Sequence, residues 1–508
     1  MTSPTLLEHY FAPFRKNTIG HGHTFCFPSG QKEIIYADWT ASGRGYGPIE
    51  SYLRNEIIPF FANTHTQATT TGTLMTEAYE AAKAIVKGHV HASVDDVLIF
   101  CGSGMTSAVN KLQRLLGIRM PDQWMGYVAD GRLPKIDEAL RPVVFVTSME
   151  HHSNHVSWLE TIATVEIIAQ TEAGHVDLDH FKRLLVQHRA RKNKIAAVTA
   201  CSNVTGIQTP YHEIARLIHA HGGLCFVDFA SSAPYVEIDM HPEEPGTWLD
   251  AIYFSMHKFL GGPGAPGVLI FNRGIYNNAV PDHPGGGTVL YSNPWKTCKY
   301  IADIESREDG GTPPVLQGIK AALCIRLKEE MGVDNIIRRE EELLKIAFAR
   351  LSAISNVTVL QDNMKKRLGI ISFIVKDAHY NLIVRLLNDR FGIQTRGGCS
   401  CAGTYGHALL KVDAARSHKI WSAIQAGDLS SKPGWIRVSF HPIMTDEELE
   451  FIMDAIESTA CHFREWMTDY DYDRTSNAYT LKANMATEQH RVADWFKFGH
   501  QAVARLSC

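Results

Sequence analysis

The sequence predicts an α/β fold: a large domain with a mostly parallel sheet covered by helices, then a small C-terminal α+β domain. Three observations predict it. Short, wholly apolar runs recur through the middle of the chain, amphipathic helical stretches separate them, and the alternation changes character near residue 355. Strand–helix–strand alternation makes neighbouring strands parallel, because the crossover helix returns the chain to the same edge of the sheet. With 508 residues the chain is too long for one small core.

Taken in order, residues 1–70 read as an irregular N-terminal arm rich in Gly, His, Thr and aromatic residues. The large domain is expected over 71–354. Val97–Phe100 reads as a strand that turns through Gly102-Ser-Gly104-Met105-Thr106-Ser107 into a helix over Ala108–Leu116. Val143–Ser148, Ala196–Ala200, Leu224–Asp228, Ala251–Phe254 and Val268–Phe271 read as strands buried on both faces. Tyr211–His221 reads as a helix, with Thr209 as its cap, Pro210 in its first turn and Gly222–Gly223 at its end. The small domain is expected over 355–464. Its strands are Ile370–Val375 and Trp435–Phe440, and its helices Asn381–Asp389 and Glu447–Thr459, the second opened by a Thr445/Glu448 capping box. Residues 465–508 form a polar, aromatic extension with no assigned role.

Composition excludes several classes. An apolar share of 45% with 20% charged residues is that of a folded globular chain, not a disordered one. The net charge of −4 and the lack of a basic run argue against nucleic acid. No stretch is long and apolar enough to cross a bilayer, and no secretory core follows Arg15-Lys16, so a cytoplasmic location away from membranes is expected. Ten scattered cysteines in so long a chain read as reduced thiols.

The chemistry concentrates around Asp250-Ala-Ile-Tyr-Phe-Ser255-Met-His257-Lys258-Phe-Leu-Gly-Gly-Pro-Gly264. A buried strand runs into a glycine turn and sets Lys258 where its amine can be neutral, as a Schiff-base lysine requires. Ser255 and His257 are spaced to reach a phosphate or the lysine. Asp228 ends another apolar strand. It suits a buried turn former or helix cap, and equally an acid that keeps a pyridinium nitrogen protonated. Small residues and hydroxyls at Gly102–Ser107 offer backbone N–H groups at a helix start, a phosphate cradle without the Gly-Lys-Ser/Thr ending of a nucleotide loop. Together these point to pyridoxal 5′-phosphate (PLP) on Lys258.

In this order the motifs resemble the class V aminotransferase family, the fold-type-I PLP-dependent enzymes, and within it the group II cysteine desulfurases and selenocysteine lyases. The resemblance runs from about Tyr36 to about Thr459. It implies a seven-stranded, mostly parallel sheet. It places Gly104, Met105, Thr106, Ser255 and His257 at the cofactor phosphate. His151, in Glu150-His151-His152-Ser-Asn154, stacks on the ring; Asn203 and Ser231 lie by its hydroxyl side; and Asp228 pairs its nitrogen. Thr312, in Gly310-Gly-Thr312-Pro313, reaches the neighbouring subunit's phosphate, which implies a homodimer. Arg437, in Trp-Ile-Arg-Val-Ser-Phe, grips the substrate carboxylate with Arg396 and Asn203 nearby. In Arg396-Gly-Gly-Cys399-Ser-Cys401-Ala-Gly403, Cys401 aligns with the persulfide-forming cysteine, and Cys399 is an extra thiol open to a disulfide, a metal or no role.

Two positions depart from the family. Ser231 stands where it has Gln, and Thr66, in Asn63-Thr-His65-Thr66-Gln67, where it has Arg; an insert spans about Met120–Pro142. His151 and His155 have a metal-binding spacing but no third ligand, so no metal is expected. The expected activity is a C–S lyase or desulfurase on L-cysteine or a related sulfur or selenium amino acid, through Lys258, His151 and Cys401, with a protein sulfur acceptor. An aminotransferase or epimerase on the same fold is the alternative, a non-catalytic partner subunit a third.

Overall fold

The computed structural model describes residues 6–482, except 65, 67 and 135, together with 492, 495 and 496. Parts of the expected terminal segments, and His65 and Gln67 of the stretch around Thr66, therefore lie outside the described residues.

The apolar runs of the middle chain form one seven-stranded sheet. Its spatial order is Asp96–Cys101, Gly267–Asn272, Ala251–Ser255, Leu224–Asp228, Lys194–Thr199, Val143–Thr147 and Thr164–Ile168. All neighbours are parallel except Gly267–Asn272, which is antiparallel to both strands beside it. The period of two splits each strand between two cores. Leu98, Phe100, Val143, Phe145, Ile252 and Phe254 belong to one; Val97, Ile99, Val144, Val146, Ala251 and Tyr253 belong to the other. Helices cover both faces, so these strands are apolar throughout instead of alternating. Every functional strand ends at the same edge, where ligands bind in open α/β sheets.

A second sheet is antiparallel, in the order Val357–Val359, Ile370–Val375, Trp435–Ser439, Arg396–Gly398. Helix Tyr380–Phe391 packs on it, and helix Asp446–Trp466 packs on that helix and on Val333–Ala353. The Thr445/Glu448 capping box is formed, Glu448 N donating to Thr445 Oγ1 at 2.9 Å and Thr445 N to Glu448 Oε2 at 2.7 Å. Thr209 does not cap the helix Tyr211–His219. Its hydroxyl donates to Thr199 O, and Pro210 takes the cap position without a side-chain acceptor.

Among its described residues, the segment expected as an irregular arm contains helices and strands. Leu6–Lys16 is a helix whose Phe11 and Phe14 enter the main core. Arg339, fully buried, lies 2.8 Å from Asp446 and 3.6 Å from Glu8, which joins that helix to two others. Ile35–Tyr36 pairs in parallel with Ile393–Gln394, and Trp39 stacks on His441 with ring centres 4.0 Å apart. Helical pattern in Leu6–Lys16 was hidden by its Pro13 and short length. No helix among the described residues is long and apolar enough to cross a membrane.

Candidate active site

The carboxyl ends of the parallel strands and the edge of the small sheet enclose a cavity of about 550 Å³. It brings together Met105, Thr106, His151, Asn203, Asp228, Ser231, Ser255, His257, Lys258, Arg396, Cys399, Cys401 and Arg437. Thr312 stands apart. It lines an adjoining cleft of about 1410 Å³, which among the described residues shares Thr106 and His257 with the cavity, and accepts from Asn63 Nδ2 at 3.3 Å.

Lys258 closes the short turn Met256–Lys258 after the strand Ala251–Ser255. The turn is compressed by glycines. A Cβ on Gly262 would lie 1.9 Å from Met256 O, and one on Gly43 would lie 2.0 Å from Phe259 O and 2.9 Å from Lys258 O. This close backbone packing fixes the turn that carries Lys258, whose side chain lines the cavity. Burial pulls the Lys258 pKa from 10.5 to about 8, against the opposing charge of Asp228. Asp228 is 3% exposed, and burial raises its pKa to about 6. Its Oδ1 accepts from Ala230 N at 2.8 Å.

The helix Met105–Leu115 begins at the cavity, and Met105 N donates to Ser255 Oγ at 2.8 Å. A Cβ on Gly104 would lie 2.9 Å from Ser255 Oγ and 3.4 Å from the His257 ring, so the turn leaves no room for a side chain. Thr106 Oγ1 and Ser153 Oγ are 2.7 Å apart. His151 precedes the helix His152–Leu159, and its Nδ1 accepts from Ser153 N at 3.1 Å. Burial, then the charge of Lys258, lowers its pKa to about 3, so the ring is neutral.

Arg437 and Arg396 converge on one carboxylate, Asp38. Arg437 Nη2 reaches Oδ1 at 2.7 Å, and Arg396 Nε and Nη2 reach Oδ2 at 2.9 and 2.8 Å. Arg437 Nη1 also donates to Asn203 O at 3.0 Å. Asp38 is the residue that sequence reasoning missed. Its segment, Tyr36-Ala-Asp38-Trp, was legible as a strand and turn, but nothing local marks an aspartate whose partners lie about 360 and 400 residues away.

Ser400 and Cys401 both have positive φ, +50° and +56°, an unfavourable region for non-glycine residues that the surroundings must impose. Asn203 Nδ2 donates to Ser400 O at 2.7 Å, His152 N to Cys401 O at 2.6 Å, and Gly403 N to His152 Nε2 at 3.0 Å. Cys401 is exposed and Cys399 half-buried, both at the cavity.

The residues fit PLP. The cavity offers a desolvated lysine, a buried acid, a neutral histidine, a helix start too tight for a Cβ, and Asn203 Oδ1, buried without a partner. When bound, PLP acts as an electron sink for charge developing at a substrate carbon. Fold and site together define a fold-type-I PLP-dependent enzyme.

Comparison with known proteins agrees. The aminotransferase class-V family matches residues 128–452, more than half of the chain, and the protein belongs to that family. A protein of Halalkalibacterium halodurans named "Probable cysteine desulfurase" is 29% identical over 438 residues, 85% of this chain and 94% of the relative. One of the same name from Staphylococcus aureus is 28% identical over 432 residues, 84% and 92% of the two chains. Among solved structures, the cysteine desulfurase of Thermococcus onnurineus aligns with a TM-score of 0.67 at 23% identity, covering 84% of this chain and 95% of that one. A cysteine desulfurase of Escherichia coli aligns at 0.66 and 19%, covering 89% and 98%. At these identities the structures establish the fold.

Proposed function

We propose that the protein is a cysteine desulfurase-like C–S lyase acting on L-cysteine or a related sulfur or selenium amino acid, with Cys401 as the sulfur-accepting thiol. The observation that carries this reading is the placement of Lys258, Asp228, Arg437 and Cys401 on one cavity. Arg437 and Arg396 supply cationic donors for the substrate α-carboxylate, with Asp38 fixing their orientation. Lys258, once its amine is free, is the base that takes the proton from Cα and returns one to Cβ. Asp228 keeps its charge at neutral pH, since its pKa of about 6 lies below it, and so serves the ring nitrogen. Cys401, as thiolate, attacks the substrate sulfur; the new S–S bond forms as the C–S bond breaks, leaving a persulfide on Cys401 and alanine as coproduct. Exposure of Cys401 supports hand-over of that sulfur to a thiol on an acceptor protein. A homodimer is part of the proposal. Thr312 lies outside its own chain's cavity, which suits a loop serving a neighbouring subunit.

Single variants Cys401→Ala and Cys399→Ala, assayed for both sulfide and alanine, test the thiol assignment. Loss of both products in Cys401→Ala alone is expected. Unchanged turnover in Cys401→Ala overturns the persulfide step and favours the aminotransferase or epimerase alternative, for which Lys258 and PLP suffice.

A further inference from the structure

Residues 467–482 take no part in the chemistry above, yet they reach the site. Beyond the helix Asp446–Trp466 the chain forms a hairpin, Tyr470–Asp473 paired with Ala478–Leu481. Its turn points into the active-site mouth, where Ser476 and Asn477 line the cavity beside Tyr380, Asn381 and Lys432. Asn477 is 8% exposed and has φ +55°, a left-handed position that asparagine tolerates better than most residues. Its hydrogen bonds are filled. Nδ2 donates to Tyr380 Oη at 2.8 Å, Oδ1 accepts from Tyr472 Oη at 2.7 Å, and its carbonyl accepts from Asn381 Nδ2 at 2.6 Å. The turn is held from the other side by Leu429 N, which donates to Arg474 O at 2.9 Å. Tyr472 and Tyr479 pack their rings on His379, with centres 5.3 and 5.5 Å away.

Tyr380 and Asn381 in turn press on the segment that carries the thiols. A Cβ on Gly397 would lie 2.5 Å from Asn381 Oδ1, and one on Gly434 would lie 2.6 Å from the Tyr380 ring and 2.8 Å from Gly398 Cα. The strand Arg396–Gly398 runs directly into Cys399-Ser400-Cys401. One unbroken series of contacts therefore links the hairpin to the two left-handed residues of the thiol loop.

We propose that the hairpin is a working part of the active site: a fixed outer wall that holds the Arg396–Cys401 segment, with Asn477 as a positioning residue and Ser476 as the side chain that narrows the mouth. It deepens the reading of this cavity as the active site and rests on it. Failure of this packing reads as greater access to the loop thiols, without any turnover.

The test is iodoacetamide labelling of the full-length, PLP-loaded protein, with each cysteine followed by peptide mass spectrometry. A lost buried hydrogen bond of about 1 kcal/mol corresponds to about a fivefold rise in local opening. Asn477→Ala loses two such bonds, to Tyr380 and from Tyr472, and is therefore expected to label half-buried Cys399 at least about fivefold faster, while Cys401, already exposed, changes little. Exposed Cys26, outside the cavity, and buried Cys225 and Cys324 should keep their rates. Asn477→Asp retains the acceptor for Tyr472 and suits the left-handed turn but loses the donor to Tyr380, whose own proton goes to Lys432 O, so it should restore the protection in part. Equal labelling of Cys399 in Asn477→Ala and the parent overturns the proposal. If Asn477→Ala also exposes Cys225 and Cys324, Ser476→Trp decides, because Ser476 is exposed and its replacement spares the core. Slower loop labelling in Ser476→Trp upholds the wall, and an unchanged rate overturns it. Labelling is independent of sulfide release, so the outcome stays readable even if Cys401→Ala retains full turnover.

Discussion

Lys258 offers the sharpest physical test of the site. Burial places its pKa at about 8 instead of 10.5. Below both values the neutral fraction changes tenfold per pKa unit, so at pH 7 the reactive amine is about 300-fold more abundant than on an exposed lysine. The sign follows from the cause: desolvation penalises the ammonium form, so protonation needs a lower pH. Asp228 acts the other way. It is ionised where Lys258 titrates, because its own pKa is about 6, and its negative charge holds the lysine's value up. Asp228→Asn should therefore move the lysine to lower pH still, by about one unit.

The assay is reductive methylation of cofactor-free protein across a pH series, with Lys258 quantified by peptide mass spectrometry. Restricted access of the reagent slows the reaction at every pH, whereas the midpoint follows the lysine's pKa. The expected midpoint is about 8 in the parent protein, moving to lower pH in Asp228→Asn. A midpoint of about 10 or above would refute the desolvation argument. A shift to higher pH in Asp228→Asn would refute the stated coupling of the two groups.

Two further outcomes follow from the buried charges. Asp38→Asn removes the charge shared by Arg396 and the 3%-exposed Arg437 and should cost about 3 kcal/mol, read as a lower thermal midpoint together with a changed KM for the amino-acid substrate. An unchanged midpoint and KM would show that the two arginines do not depend on Asp38. Arg339→Ala leaves Glu8 and Asp446 without the guanidinium between them and should cost about 3–5 kcal/mol in urea unfolding, while Cys401 labelling stays at the parent rate.

What the sequence revealed and concealed divides along a physical line. Strands such as Leu224–Asp228 and Ala251–Ser255 were legible because burial on both faces demands uninterrupted apolar residues, a constraint written locally. Lys258, Asp228 and the Gly104–Thr106 turn were legible because each sits at the end of such a strand, and in this sheet those ends share one edge. The Thr445/Glu448 cap was legible for the same reason, since donor and acceptor lie three residues apart. Thr209 misled because its neighbourhood satisfies the local rule for a cap while a distant carbonyl, Thr199 O, takes the hydroxyl.

Asp38 and the hairpin were concealed by sequence distance. A carboxylate next to Trp39 looks like any turn residue until Arg396 and Arg437 arrive from the other end of the chain. Asn477 likewise looks like a surface turn, and only the fold sets Tyr380 and Asn381 against it. The two cases have a common consequence. Lys258 and Asp228, proposed to serve the chemistry, come from strand ends that local pattern dictates, whereas Asp38 from the N-terminal segment and Asn477 from the C-terminal one, proposed to hold the thiol- and arginine-bearing edge, arrive on the parts of the chain with the weakest pattern. Both segments close on the small sheet, Asp38 through a bridge to Ser439 and Asn477 through Asn381, so each acts on the same arginine- and thiol-bearing edge from opposite termini. Substitutions at Asp38 or Asn477 are thus expected to change substrate binding and thiol access first, because their side-chain hydrogen bonds run to Arg396, Arg437, Tyr380 and Tyr472.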